Sequence, residues 1–344
     1  MTKTFSPRFL FLVNRLQQQG IAFNLEESLT QSYNPLREAL AAYFTVGELG
    51  ALTYVTQGNT DQSRAEGFIQ VRERRARPEA DLLYLAPMLT ADVAPDMWLR
   101  LLIYLIQQAE NRGVERLFAC LPQGSEETRL FAQAGFNIYT HQDVYRLAGQ
   151  GPATDKNSHS PDATIRPYHA QDIIAVQQLY AAVAPRQVQQ AESGSGRGRF
   201  CPLDTSSTAG DKQSFVLEKN DEIVGCLTIK LGRIGHWLHI LLHPRAYDLA
   251  GNLLAWGIDR GQNNSPEPIY CGVRDYQGGL RAVLEDMGFQ HLVCRALAVK
   301  HTTVRVTDPI RALRPALEKR AEVTTPSVSQ ANGHQAAGNP EPIK

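Results

Sequence analysis

The chain has 344 residues, 43% of them hydrophobic and 20% charged, which is the composition of a folded protein of one or two domains. Its 35 basic and 35 acidic side chains give a formal net charge of zero, so the basic excess of a nucleic-acid-binding protein is absent. No stretch has the ~18 apolar residues that a membrane span needs. The five cysteines are scattered without a C-x-x-C pair, which indicates neither a disulfide framework nor a metal site. We therefore expect a cytoplasmic protein with no metal, no membrane partner and no nucleic-acid partner.

The first half of the chain predicts alternating helices and strands. Ser6–Gln19 and Pro35–Phe44 have helical periodicity, and Ala51–Gln57 has the apolar character of a strand. The next segments predict strand, strand, helix, strand, helix and strand, in this order: RAEGFIQVRERR, DLLYLAPML, MWLRLLIYLIQQAENRG, ERLFACL, ETRLFAQAGFNIY and QDVYRL. The arginines of residues 72–77 are expected on a solvated strand edge.

The second half repeats this order. Its segments are DEIVGCLTIKLG, HWLHILLHP, LAGNLLAWGIDRG, PIYCGV, GLRAVLEDMGFQHL and CRALAVK. Each matched pair lies roughly 155 residues apart: Gly67 with Gly225, Pro87 with Pro244, and Gly135-Phe136 with Gly288-Phe289. A constant spacing of this length predicts an internal duplication of a whole domain.

Three polar stretches divide the chain. We expect an α/β domain over 1–148, a Gly/Pro-rich linker over 149–161, a second α/β domain over 162–308 and a disordered tail over 321–344. Within the second domain, Gln187–Gln213 contains SGSGRGR and is expected to be a long surface loop.

This succession of elements resembles the GNAT superfamily, the Gcn5-related N-acetyltransferases, and the whole chain resembles uncharacterised tandem GNAT-like proteins of bacteria. The resemblance is clearest from Ala163 to about Arg305 and good from Ala65 to Leu147. It implies an α/β fold (α+β) of two tandem GNAT-like lobes, each a twisted mixed sheet flanked by helices. It also implies acetyl-CoA, or another acyl-CoA, as co-substrate.

Members of the family bind acetyl-CoA where the fourth strand ends and the next helix begins, through a motif with two glycines. Glycines let backbone N–H groups approach the diphosphate at the helix N-terminus. In the first half, Asp96 and Trp98 stand where these glycines are expected, and Pro95 removes an N–H donor. The motif keeps more of its residues in the second half, where the candidate acyl-CoA contacts are Leu242, Arg245, Asp248, Leu249, Ala250 and Gly251.

The family's acid–base residues are changed as well. The usual tyrosine that protonates the leaving thiolate is replaced by Phe131 and Leu284. A candidate general base is His239, which has a suitable pKa and lies on the expected fourth strand of the second half. The alternative reading of His239 is a structural histidine, and Leu82 is its counterpart in the first half.

Two functions therefore stay open. The first is an acyl-CoA-dependent N-acetyltransferase of the GNAT type, with a degenerate CoA motif and no catalytic tyrosine, that acts on an unknown amine or other small molecule. The second is a non-catalytic GNAT-like module that binds a ligand or a partner. The sequence leaves a monomer and a homodimer open.

Overall fold

The structure is a computed structural model that describes residues 2–57, 66–74, 77–90, 95–149, 163–193 and 211–303. Within these ranges, thirteen strands form one mixed sheet. The strands are β1 Thr2–Thr4, β2 Ile21–Ala22, β3 Leu52–Thr56, β4 Gly67–Glu73, β5 Glu79–Ala86, β6 Arg116–Pro122, β7 Asn137–Leu147, β8 Ala163–Pro167, β9 Asp211–Lys219, β10 Glu222–Leu231, β11 His236–Leu242, β12 Ile269–Arg274 and β13 Gln290–His301.

Nine α-helices accompany these strands in the same ranges. They are α1 Leu10–Leu16, α2 Leu25–Thr30, α3 Pro35–Phe44, α4 Pro95–Asn111, α5 Glu126–Gln133, α6 Ile173–Val183, α7 Arg186–Glu192, α8 Ala250–Asn264 and α9 Gly279–Asp286. Short 3₁₀ turns cover Pro7–Phe9, Ala170–Asp172, Pro244–Leu249 and Asp275–Gln277.

The strand order carries a two-fold pattern. The order is β1-β3-β4-β5-β6-β13-β7-β12-β11-β10-β9-β8. The pairs β5/β6 and β11/β12 are parallel, and every other neighbouring pair is antiparallel. Both halves therefore use the same strand order, as the repeated sequence pattern predicts.

The two halves exchange their last strands. The last strand of the first half, β7, pairs with β12 of the second half, and β13 pairs with β6 of the first half. The two exchanged strands also pair with each other, from Gln290 opposite Arg146 to Val299 opposite Asn137. Instead of two separate sheets, this exchange joins the halves into one.

Identical turns precede the exchanged strands. Gly135 and Gly288 have φ of +87° and +85°, a region that suits glycine. Phe136 N–H donates to Phe131 O, and Phe289 N–H donates to Leu284 O, each at 3.0 Å. The Gly-Phe pairs found in the sequence are thus equivalent helix ends.

Each half has a core on both faces of the sheet because strand residues alternate in direction. In the first half, Ile69 and Leu82 pack with α4 and α5, whereas Phe68 and Leu83 pack with α1 and the start of α3. The second half repeats the arrangement, with α8 and α9 on one face and α6 and α7 on the other.

Several sequence expectations need correction. Residues 187–192 of the expected loop belong to α7, because Val188 and Ala191 are buried one turn apart, and β9 begins at Asp211. The rest of that loop, 194–210, lies outside the described residues, as do 150–161 of the expected linker and the whole expected tail. The predicted domain boundaries stay a prediction. The sequence analysis also missed α2.

Candidate functional site

A cavity of about 110 Å³ lies over the sheet where the two halves meet. Its lining comes from the β2–α2 junction, from the residue after β4 and from β5, β6 and β7 of the first half, and from β11, β12 and β13 of the second. The lining residues are Phe23, Asn24, Leu25, Glu26, Arg74, Asp81, Phe118, Ala119, Cys120, Tyr139, Gln142, Trp237, His239, Arg274 and Leu297.

Helix α2 brings a carboxylate of the first half to the strands of the second. Asn24 caps this helix by accepting a hydrogen bond from Glu27 N–H at 3.1 Å. Glu26 Oε1 lies 3.0 Å from Lys230 Nζ, and Glu26 Oε2 lies 3.0 Å from His239 Nε2. Burial alone would raise the pKa of Glu26, but the pairs with His239 and Lys230 outweigh burial and hold this pKa well below its usual value. Glu26 is therefore a carboxylate at neutral pH.

An ionised Glu26 determines the tautomer of His239. A carboxylate only accepts hydrogen bonds, so Nε2 of His239 carries the proton that Glu26 accepts. In the neutral ring, Nδ1 then has a free lone pair, which can take up a proton. The side chain of His239 is 31% exposed, so the ring is accessible from the cavity.

Arg72 and Arg74 of the arginine run do not lie on a solvated edge. Strand β4 lies between β3 and β5, and Arg72 forms ion pairs with Glu27 and Glu38. Arg74 donates to Asp81 Oδ1 at 2.6 Å and to Glu79 Oε2 at 2.8 Å. Carboxylates of β5, α2 and α3 form ion pairs with Arg72 and Arg74, and Arg74 also lines the cavity.

On the other side of the cavity, two of the described residues that line it have a buried donor without an acceptor. Arg274 Nη2 donates to Glu192 Oε1 at 3.2 Å, but its Nη1 is buried and has no acceptor. Trp237 is 1% exposed, and its Nε1 also has no acceptor. Unsatisfied buried donors are rare in proteins and call for an explanation such as a ligand or an ordered water.

Gly272 shapes the floor between these groups. It pairs with His239 in the sheet, and a Cβ at this position would overlap the amide of Gln142 and lie 2.9 Å from Trp237 Cζ2. A glycine is therefore needed for Gln142 and Trp237 to approach the backbone. The space over Gly272 is therefore occupied by the side chains of Gln142 and Trp237.

The parallel strands diverge next to the cavity. The pairing of β11 with β12 ends at His239 and Gly272, although β11 continues to Leu242. In the described residues no strand enters this gap. The side chain of Gln277 reaches across it and donates to Ile240 O at 2.7 Å.

In the first half the equivalent gap is filled by the chain itself. The pairing of β5 with β6 ends at Asp81 and Phe118, and β2 then pairs with β5. Phe23 continues β2: its N–H donates to Leu83 O at 2.8 Å, and its carbonyl accepts from Cys120 N–H at 2.9 Å. This segment therefore bridges the diverging strands like an additional strand.

The side chain of Phe23 packs in an aromatic cluster with Trp98 and Phe131. The GNAT resemblance expects a glycine and a tyrosine at these two positions. The ring centroid of Phe23 lies 6.0 Å from that of Trp98 and 5.0 Å from that of Phe131. Both residues are fully buried, and Trp98 Nε1 donates to Pro87 O. In the first half, these two positions therefore belong to the packed core.

The structure places the predicted acyl-CoA residues at the end of β11. Leu242, Leu249 and Ala250 are buried, whereas Arg245 and Asp248 are exposed. Asp248 lies in the 3₁₀ turn 3.3 Å from Lys219 Nζ, so it is not a helix N-cap. A Cβ on Gly251 would meet open space.

Backbone amides of this segment are already bonded inside the chain. Ala246 N–H donates to His243 O at 2.9 Å, and Ala250 N–H donates to Tyr247 O. Tyr247 also packs on Gly279 at the start of α9, which closes one side of the gap. The loop that cradles a diphosphate through free amides is therefore not formed here.

His239 was predicted from the sequence, but the residues around it were not. Trp237 stands two residues away on the same strand, and its apolar context concealed its position on the cavity wall. Glu26 was detectable, because Asn24 followed three residues later by Glu27 is the start signal of a helix. Nothing in the sequence indicates that Arg274 of β12 lies beside His239.

Comparison with known proteins gives structural similarities alone. No protein-family model and no curated protein matches the sequence significantly. Among solved structures, the chain is similar to a GCN5-related N-acetyltransferase from Sphaerobacter thermophilus, with 15% identity, a TM-score of 0.49, and coverage of 88% of this chain and 95% of the other. It is also similar to a tandem GNAT protein from the clavulanic acid biosynthesis pathway, with 13% identity, a TM-score of 0.48, and coverage of 88% and 98%.

A third similar structure is a functionally unknown conserved protein from Staphylococcus epidermidis, with 14% identity, a TM-score of 0.46, and coverage of 72% and 95%. At these identities and TM-scores, an activity has to be inferred from this chain's own residues. Among the described residues, no helix meets the length and hydropathy of a membrane span, and no cluster of His, Cys, Asp and Glu side chains could hold a metal.

Proposed function

We propose that the chain is an acyl-CoA-dependent N-acyltransferase of the GNAT type that works through its second half. One observation supports this most: His239 occupies the last paired position before β11 and β12 diverge, and its ring lines the cavity with Glu26 held against it. The resemblance expects acyl-CoA at the end of this strand. The cavity is then the site of the acceptor amine, and His239 is its general base.

The proposed reaction transfers an acyl group from sulfur to nitrogen. The amine attacks the thioester carbon, the new C–N bond forms, the C–S bond breaks, and His239 Nδ1 takes the proton from the amine. Glu26 stabilises the resulting imidazolium, as a carboxylate does for the histidine of a catalytic triad. Leu284 cannot protonate the leaving thiolate, so the thiolate takes a proton from water.

The second half fits an acyl-CoA at its acyl end better than at its diphosphate. The gap between β11 and β12 contains no additional strand in the described residues, in contrast to the gap that Phe23 fills. Because the amides of the 3₁₀ turn are bonded internally, the diphosphate would depend on side chains such as Arg245 and Lys219. We therefore expect weaker acyl-CoA binding than a glycine loop provides.

A non-catalytic binding module is the second candidate. It is favoured by the absence of an acid at Leu284 and by the exposed carboxylate of Asp248 beside the expected diphosphate. Under this alternative, the cavity binds a ligand but transfers nothing to it.

The test measures binding and turnover on the full chain. Acetyl-CoA at 1 mM with a dissociation constant of ~10 µM stabilises a protein by ~2.7 kcal/mol, which raises the melting temperature by several degrees. Turnover is measured as free thiol released from acetyl-CoA in the presence of mixed amines, with the His239→Gln variant as control. Stabilisation with no thiol release above that variant would favour the binding module, and no stabilisation would exclude the proposal.

A further inference from the structure

We infer that the small molecule bound in the cavity carries a carboxylate next to an amine, as a free amino acid does. This inference deepens the proposed function, on which it rests, by naming the substrate class. It starts from Arg274 and Trp237, whose buried donors line the same cavity without acceptors.

Two buried donors without partners indicate a ligand rich in acceptors. A carboxylate offers about four lone pairs and is the natural partner of a guanidinium. Glu192 already binds Arg274 Nη2 and receives hydrogen bonds from the hydroxyls of Tyr139 and Tyr180. Its charge is thereby compensated. Tyr139 also forms a hydrogen bond with Arg274, whose Nη1 is the donor without an acceptor.

The same wall of the cavity contains His239, the proposed base for the amine of the ligand. Trp237, His239, Gly272 and Arg274 share one face of β11 and β12, because alternate residues of a strand point the same way. Gly272 lies between His239 and Arg274 on this face, and the Gln142 amide and the Trp237 ring cover it. A ligand whose carboxylate binds Arg274 therefore lies on the same face as His239, the proposed base for its amine.

The charge and the volume of the cavity limit the class of substrate that it can bind. Acidic groups of the cavity, Glu26 and Asp81, are paired with Lys230 and Arg74, so they leave no strong attraction for a polycation. A volume of about 110 Å³ is also well below the ~300–1,000 Å³ of pockets for drug-sized ligands. A free amino acid satisfies both limits, whereas a polyamine does not satisfy the limit on charge and a protein N-terminus with its chain does not satisfy the limit on size.

The experiment measures the melting temperature of the full chain with each of the twenty standard amino acids at 10 mM, with and without free CoA. At least one amino acid is expected to raise the melting temperature by a few degrees. Its amide, which lacks the carboxylate, and its N-acetyl derivative, which lacks the amine, are expected to raise it by less than one third as much. If no amino acid stabilises the protein, or if the amide does so equally, the inference is wrong.

Variants locate the site. Arg274→Gln should weaken binding of that amino acid at least tenfold, measured by calorimetry. The matched control is Arg295→Gln, because Arg295 also has a buried Nε without an acceptor but does not line the cavity. If Arg274→Gln does not fold, Trp237→Phe removes only one donor and should weaken binding about threefold. Unchanged affinity in the variant that folds would place the amino acid elsewhere.

The substrate class and the proposed function can fail separately. If acetyl-CoA acylates a carboxylate-free amine such as spermidine while no amino acid binds, the class is wrong and the transferase stands. If an amino acid binds through Arg274 but acetyl-CoA does not bind at all, the site stands and the transferase fails.

Discussion

Nε2 of His239 lies 3.0 Å from Oε2 of Glu26, a residue 213 positions earlier in the chain. The contact joins a strand of the second half to a helix of the first, and it holds the imidazole at the point where two parallel strands part. A single half would have the histidine without the carboxylate. The duplication therefore contributes a residue to the site as well as strands to the sheet.

Glu26→Gln should lower both turnover and stability. The amide keeps the shape and can still accept from His239, but it removes the charge that stabilises the imidazolium and pairs with Lys230. We expect at least tenfold slower thiol release and a loss of about 3 kcal/mol of unfolding free energy, the scale for one lost partner of a buried ion pair. Urea denaturation at neutral pH measures the loss.

The contribution of Glu26 to the free energy of unfolding should depend on pH. The pKa of Glu26 is lowered in the folded state, so its contribution is present above the ordinary carboxyl pKa of 4.5 and is lost as the pH falls toward the folded-state value. The difference between wild type and variant should shrink below about pH 4. Glu66→Gln, which breaks the exposed pair with Arg15, should cost less than about 1 kcal/mol. Equal losses in both variants would contradict the buried pairing.

Phe23→Ala should destabilise the protein by about 3–5 kcal/mol, the usual cost of removing a buried phenylalanine. Its ring packs between Trp98 and Phe131, and its backbone bridges β5 and β6. Phe11→Ala is the control, because Phe11 is 75% exposed and should cost less than about 0.5 kcal/mol. A small loss in the Phe23 variant, measured by thermal unfolding, would show that the gap in the first half is loosely filled.

Gly272→Ala should close the cavity floor. The added methyl group overlaps the Gln142 amide and presses on Trp237, so we expect a loss of about 1–3 kcal/mol and weaker ligand binding. Adding Gln142→Ala should restore part of both, which a double-mutant cycle detects. The matched control is Gly251→Ala, whose methyl group meets open space and should cost nothing. Additive effects of the Gly272 and Gln142 changes would argue against the overlap.

Acidification should destabilise the protein through His236. Gly232 N–H donates to its Nδ1, so Nε2 carries the proton and lies 3.0 Å from Ser265 Oγ. Burial lowers the pKa of His236 in the folded state below the ordinary value of 6.5. Protonation therefore favours the unfolded chain, and the folded protein loses stability as the pH falls below 6.5. His236→Gln, which cannot be protonated, should lose less stability between pH 7.5 and 5.5 in urea titrations. Equal losses in the wild type and in His236→Gln would show that His236 does not cause the acid sensitivity.

Asp248→Gly should strengthen acyl-CoA binding a few-fold. The variant removes an exposed negative charge beside the expected diphosphate and releases Lys219, while Arg245→Ala should weaken binding. Asp96→Gly, at the corresponding helix start of the first half, should change nothing. Calorimetry with CoA compares the three variants. An affinity that responds to Asp96 and not to Asp248 would place the acyl-CoA site in the first half.

Much of the fold follows from local sequence signals. Alternating apolar residues mark the strands, and helix ends marked by Gly135-Phe136 and Gly288-Phe289 show that one domain pattern occurs twice. These signals are readable because they depend on the periodicity of a strand or helix and on the conformations that glycine permits. His239 was found in the same way, from its place on a recognisable strand.

The tertiary structure alone decided how the two halves are joined and what surrounds His239. Strand pairing depends on contacts between residues far apart in the chain, so the repeat could not show that β7 and β13 change places. The same holds for Glu26, Trp237 and Arg274, which come together from α2, β11 and β12. No local periodicity in the sequence indicates that these residues lie together, because contacts between distant residues depend on how the whole chain folds.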